Sequence, residues 1–82
     1  MIEIYGTPTC GFCLRAKRLA QSHDIATEYK DITFTNFRDE LLERKSDYTT
    51  VPQIWWHGKY IGGYNELANE IENTRNFGDG PF

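Results

Sequence analysis

Cysteine occurs twice in the chain, at Cys10 and Cys13, with only Gly11 and Phe12 between. The pair follows the apolar, β-prone start Ile2-Glu3-Ile4-Tyr5 and precedes a stretch that reads as helix. A sulfur at such a strand-to-helix junction lies against the first unpaired N–H groups of the helix. Those dipoles favour thiolate over thiol, which lowers the pKa and makes Cys10 a nucleophile at neutral pH. Cys13, one turn further on, can attack and release whatever binds to Cys10. It reads as the resolving thiol, more buried and less acidic, and equally as a small residue on the helix's inner face. A buried structural role for Cys10 fits its polar, glycine-flanked loop poorly. A structural zinc site needs four ligands, normally including a second Cys/His pair at short spacing. His23 and His57 are the only histidines and form no such pair, so both read as surface side chains and no metal site is expected.

The elements that must hold these sulfurs follow from periodicity and turn residues. Residues 1–6 alternate Ile2 and Ile4 with Glu3 and Tyr5, and read as a strand ended by Gly6. Residues 11–22 read as a helix with Cys13, Ala16, Leu19 and Ala20 on one face and Arg15, Lys17 and Arg18 largely on others. Residues 26–32 alternate weakly and read as a second strand. Thr35 or Asn36 is the expected cap of a helix over 36–46, with Phe37, Leu41 and Leu42 inward. Pro52 opens the strand Gln53-Ile54-Trp55-Trp56, His57-Gly58 turns, and Lys59-Tyr60-Ile61 returns as its hairpin partner. Trp55, Trp56 and Tyr60 read as sheet packing. Gly62-Gly63 breaks that strand. Asn65 is the expected cap of a last helix with Leu67, Ala68 and Ile71 inward, and residues 76–82 read as a loose tail. The order β-α-β-α-β-β-α predicts an α/β fold, a four-stranded mixed sheet with three helices on both faces.

The totals bound the function. The chain has 82 residues and net charge −3, with a sequence pI of about 5.2. One domain is expected over residues 1–75, and bulk attraction to nucleic acid or anionic membrane is not. Nothing resembles a membrane span or a secretory signal. A single cysteine pair in such a chain suits a reducing cytoplasm, where it reads as redox or metal chemistry.

Four pieces, in this order and spacing, resemble the glutaredoxin family: Cys10-Gly11-Phe12-Cys13, Leu14-Arg15-Ala16-Lys17, Thr50-Val51-Pro52-Gln53 and Ile61-Gly62-Gly63-Tyr64. The resemblance spans roughly residues 1–75. It implies a thioredoxin-like fold and a glutathione-dependent thiol–disulfide oxidoreductase. Thioredoxins fit less well, because this chain lacks their extra N-terminal strand and helix and their Trp-Cys-Gly-Pro-Cys site.

The resemblance also implies roles. Cys10 attacks a protein disulfide or a glutathione mixed disulfide, and Cys13 resolves the intermediate. The Val51–Pro52 bond is cis and faces the cysteines, leaving the Val51 N–H and C=O to pair with an extended substrate. Thr50 stands in the same motif. Gly63, Tyr64, Asn65 and Glu66 match the corner that binds the γ-glutamyl end of glutathione, through free N–H groups at a helix start. Glu66 stands where the family often has Asp. Phe12 replaces a common family tyrosine and walls the groove. Thr7 stands where many members carry a Lys or Arg, with Arg38, Arg44 or Lys45 as substitutes. Glutathione is the co-substrate, the protein is a monomer, and protein disulfides, ribonucleotide reductase among them, are the partners. An alternative is a glutathione-ligated [2Fe–2S] module bridging two subunits, since Gly11 is small where other members have proline.

Overall fold

Ile2 and Ile4 point to one face of a strand and Glu3 and Tyr5 to the other, and both faces are covered. The computed structural model describes the backbone of residues 1–79 and the side chains of residues 1–73. The elements run β1 (Ile2–Gly6), α1 (Gly11–Ser22), β2 (Thr27–Asp31), α2 (Thr35–Arg44), β3 (Gln53–Trp56), β4 (Lys59–Gly62) and α3 (Tyr64–Asp79). They form a four-stranded sheet in the order β2-β1-β3-β4. β1 is parallel to β2, with Ile4 opposite Tyr29, and antiparallel to β3, with Ile4 opposite Ile54. β4 returns antiparallel to β3, with an irregularity at Ile54/Trp55. This is the predicted thioredoxin-like architecture, and the parallel pair follows from the crossover through α1.

α1 and α3 cover one face. Ala16 and Ala20 of α1 and Leu67 and Ile71 of α3 pack on Ile2, Ile4 and Ile54. The small alanines let α1 sit close to the sheet, which fixes the height of Cys10 and Cys13 above it. α2 covers the other face through Leu41, which packs with Tyr5 and Trp55. No helix among the described residues is long and apolar enough to cross a membrane.

Four local expectations are corrected. α2 begins at Thr35 and ends at Arg44, with Phe34 as its N-cap and no side-chain capping bond. Neither Thr35 nor Asn36 caps it, because Asp31 turns the chain earlier by accepting from the Thr33 N–H and hydroxyl. Leu42 is 40% exposed rather than inward, because the sheet face beneath α2 is partly polar and Leu41 alone takes its apolar centre. α3 begins one residue before Asn65. Gly63 is its cap: its carbonyl accepts from Leu67 N–H at 3.0 Å, and its own N–H donates to Glu66 Oε1 at 2.8 Å. Glu66 thus closes half a capping box and Asn65 lies exposed in the first turn. The last helix continues to Asp79, past residue 75; the remainder of the expected tail, residues 80–82, lies outside the described residues.

Candidate active site

Cys10 is the N-cap of α1, in extended conformation at φ −88° and ψ 115°. Its Sγ accepts the Cys13 N–H at 3.2 Å, and its thiol faces the Val51 carbonyl at 3.7 Å. A capping sulfur is therefore held where the positive end of α1 points. The single donor is Cys13; the Phe12 N–H makes no such bond. Cys10 is half-buried, whereas Cys13 is fully enclosed, and both are free thiols.

Cys13 occupies a hollow made by Gly6. A Cβ on Gly6 would stand 2.6 Å from Cys13 Sγ and 2.7 Å from Tyr29 Oη, so only glycine ends β1 without displacing the second thiol. Burial pushes the Cys13 thiol up to about 11; the Cys10 sulfur adds to this, while the Thr7 N–H and the Tyr29 hydroxyl oppose it. Cys13 is thus a protected thiol behind an accessible one.

The Val51–Pro52 bond is cis and lies across from Cys10. Behind it, Gln53 is 95% buried in effect, at 5% exposure. Its Nε2 donates to the Thr50 carbonyl at 2.8 Å, and its Oε1 accepts from the Tyr60 hydroxyl at 2.6 Å. The chain from Gln53 to Tyr60 therefore pins the loop that faces the nucleophile. Sequence reading missed this pair, although a glutamine between Pro52 and Ile54 in an apolar strand was a legible signal.

Phe12, Thr50, Val51, Pro52, Gly63, Tyr64, Asn65 and Glu66 line one open cleft of about 310 Å³. The structure thus brings together the eight residues assigned to the substrate groove. Phe12 and Tyr64 form its aromatic wall, ring centroids 6.0 Å apart, and Arg15 stacks over Phe12 at 5.3 Å. The start of α3 forms the far end. Helix geometry leaves the N–H groups of Tyr64, Asn65 and Glu66 without intrahelical acceptors there. Gly62 permits this corner: at φ +128°, a Cβ would stand 2.8 Å from Glu66 Cγ.

Of the cations proposed to replace a basic residue at Thr7, two are engaged elsewhere. Arg44 pairs with Glu3 at 3.1 Å and stacks over Trp55 at 5.0 Å, and Lys45 pairs with Asp47 and lies over Tyr60. Arg15, beside Phe12, is the basic group the structure sets against the cleft. Among the described residues no three His, Cys, Asp or Glu side chains converge to hold a metal ion.

A mixed sheet with helices on both faces, and a Cys-x-x-Cys opening α1 opposite a cis-proline, define a thioredoxin-like thiol–disulfide oxidoreductase. The family model described as Glutaredoxin matches residues 2–61. Glutaredoxin 3 of Escherichia coli is 36% identical over 66 residues, covering 80% of this chain and 80% of that protein. Glutaredoxin 1 of the same organism is 36% identical over 78 residues, covering 87% and 92%. The solution structure of reduced Escherichia coli glutaredoxin superposes with a TM-score of 0.77 at 29% identity, covering 92% of this chain and 96% of that one. This chain belongs to the glutaredoxin family.

Proposed function

We propose that this protein uses glutathione to reduce protein disulfides and glutathione mixed disulfides. The observation that carries the reading is the capped, half-exposed Cys10 sulfur facing the carbonyl of Val51, one wall of a cleft whose far end is a helix start. The Cys10 thiolate attacks a disulfide R–S–S–R′, forming Cys10–S–S–R and releasing R′–S⁻, which takes a proton from water. With a protein dithiol, Cys13 then attacks Cys10 Sγ; a Cys10–Cys13 disulfide forms and R–SH leaves. Two glutathione molecules return the pair to thiols, one joining Cys10 and the second displacing it as glutathione disulfide. The γ-glutamyl carboxylate of glutathione suits the free N–H groups of Tyr64 and Asn65, and its backbone suits the Val51 edge as a short added strand. Phe12 and Tyr64 shield the reacting sulfurs from one side. The reading also places the protein, as a monomer, in the reducing cytoplasm, where two free thiols persist.

The test is glutathione-coupled turnover on a small glutathione mixed disulfide and on a protein disulfide. Cys10→Ser is expected to abolish both. Cys13→Ser is expected to retain the first and lose most of the second. Loss of both reactions in Cys13→Ser, or turnover that does not depend on glutathione, refutes the proposal.

A further inference from the structure

Resolution asks a fully enclosed thiol to become an anion. Cys13 has no exposed surface, and an ionised group without a hydrogen-bond partner is costly in such a place. Its surroundings contain few polar atoms. The hollow left by Gly6 holds two of them, since Cys13 Sγ and Tyr29 Oη both lie within 3 Å of where a Gly6 Cβ would stand, at 2.6 and 2.7 Å. Tyr29 projects there because β2 pairs in parallel with β1 and sets Tyr29 opposite Ile4, on the face α1 covers. Its hydroxyl donates to the Thr7 carbonyl at 2.7 Å, and the Thr7 backbone also favours the ionised form of Cys13. The Thr7 carbonyl thus holds the phenol beside the thiol in the Gly6 hollow.

We propose that Tyr29 is a positioning residue for Cys13: its hydroxyl turns from the Thr7 carbonyl to the Cys13 sulfur and stabilises the thiolate that resolves the mixed disulfide. This rests on the reading of Cys13 as the resolving thiol. In the resting state the phenol oxygen is free to accept from the Cys13 S–H while its own O–H donates to the Thr7 carbonyl. During resolution Cys13 loses its proton, attacks Cys10 Sγ and forms the Cys10–Cys13 bond. The Cys10–S–S–R bond breaks, Cys13 is oxidised, R is reduced, and the proton ends on R–SH. Tyr29 keeps its own proton throughout. Burial, then the neighbouring Cys13 charge, push the phenol upward, so it remains a donor when Cys13 ionises. The other charged groups facing the pair are Cys10 itself, Asp31 further along β2 and Lys17 of α1, whose Nζ lies 5.5 Å from the Tyr29 ring centre. A phenylalanine fills the same volume, so the hydroxyl alone separates this role from packing.

The experiment preforms the Cys10–glutathione mixed disulfide and follows glutathione release in a single turnover across pH. Tyr29→Phe is expected to slow release about tenfold at neutral pH, the scale of one hydrogen bond to a charged group. It is also expected to move the pH midpoint of release up by about one unit. In the Cys13→Ser background, turnover of the small mixed disulfide is expected to be indifferent to Tyr29→Phe. An unchanged rate and pH midpoint overturns the proposal, and so does equal slowing in the Cys13→Ser background. If the wild-type mixed disulfide releases no glutathione, it is instead the resolving role of Cys13 that fails. If Tyr29→Phe does not fold, 3-fluorotyrosine placed at position 29 keeps the shape and makes a stronger donor. A lower pH midpoint then supports the proposal, and an unmoved one overturns it.

Discussion

At the scale of residues, the site is built by what is missing as much as by what is present. Gly6 has no side chain, and Cys13 and Tyr29 occupy the space. Gly6→Ala forces backbone or sulfur to move and is expected to cost about 1–3 kcal/mol, the range for overpacking a filled interior. Urea denaturation should show a lower midpoint at unchanged slope, and Cys13-dependent reduction should suffer more than the reaction Cys10 performs alone. The enclosure of Cys13 also gives stability a pH signature. Its ordinary pKa is 9.0 and burial takes it to about 11. The unfolded chain therefore releases this proton first as pH rises. The stabilising contribution is complete below pH 9.0 and is lost between there and about 11. Cys13→Ala should flatten the fall in unfolding free energy across that window; parallel curves for the two proteins count against burial as its cause. Iodoacetamide should label Cys10 well before Cys13, as mass spectrometry of partly modified protein will show.

At the scale of elements, α2 is the exception. One residue of it, Leu41, is fully buried, so apolar packing holds it weakly. A charge network on its face of the sheet compensates. Lys30, 7% exposed on β2, pairs with Glu3 of β1 at 3.0 Å and with Glu40 of α2. Glu40 also accepts from Tyr5, and Arg44 reaches Glu3 at 3.1 Å. Hydrogen bonds from Lys30 and Tyr5 hold the Glu40 carboxyl below its ordinary 4.5. At Glu3, burial pushes upward, but Lys30 and Arg44 together outweigh it. Both folded-state pKa values are depressed, so the stabilisation is present above pH 4.5 and is lost as pH falls below it. Lys30→Met leaves Glu40 with Tyr5 and Glu3 with Arg44 as their remaining partners. It is expected to cost about 2–3 kcal/mol at neutral pH, less than a fully buried pair because Glu40 is partly open to water. The same variant should lose less stability than wild type on acidification. If chemical denaturation at pH 7 and pH 4 gives the two proteins the same difference, the network does not hold α2.

At the scale of the whole molecule, the element order and the thiol pair were legible because they rest on local signals. These were an alternating first strand, a glycine-punctuated hairpin and a helix that follows Cys10. The cleft was legible through motifs at fixed spacing. Tyr29 and Lys30 were not, because their roles arise from strand register, with Ile4 opposite Tyr29 and Tyr5 opposite Lys30. Nothing in the weak alternation of residues 26–32 announces which neighbour each will meet. The N-caps were misplaced for a related reason: Asp31 and Glu66 act from outside or within the turn, and a cap residue read by type alone overlooks them. Charge distribution, too, is a property of the assembled molecule. Net charge is −3, yet the charged side chains of α1 are Arg15, Lys17 and Arg18 alone, and among the described residues none of them forms an ion pair. The fold sets this basic helix directly behind Cys10, with Arg15 against the cleft. An acidic segment beside a target disulfide should therefore be drawn to the reactive sulfur even though the protein as a whole repels it. Such steering is screened by salt, so kcat/KM on an acidic protein disulfide should fall by about threefold or more between low salt and about 0.5 M. The double variant Arg15→Gln/Arg18→Gln should start lower and lose that dependence, while both proteins reduce a neutral small disulfide at rates that salt leaves alone. Equal salt sensitivity in the variant and wild type assigns the attraction to another surface.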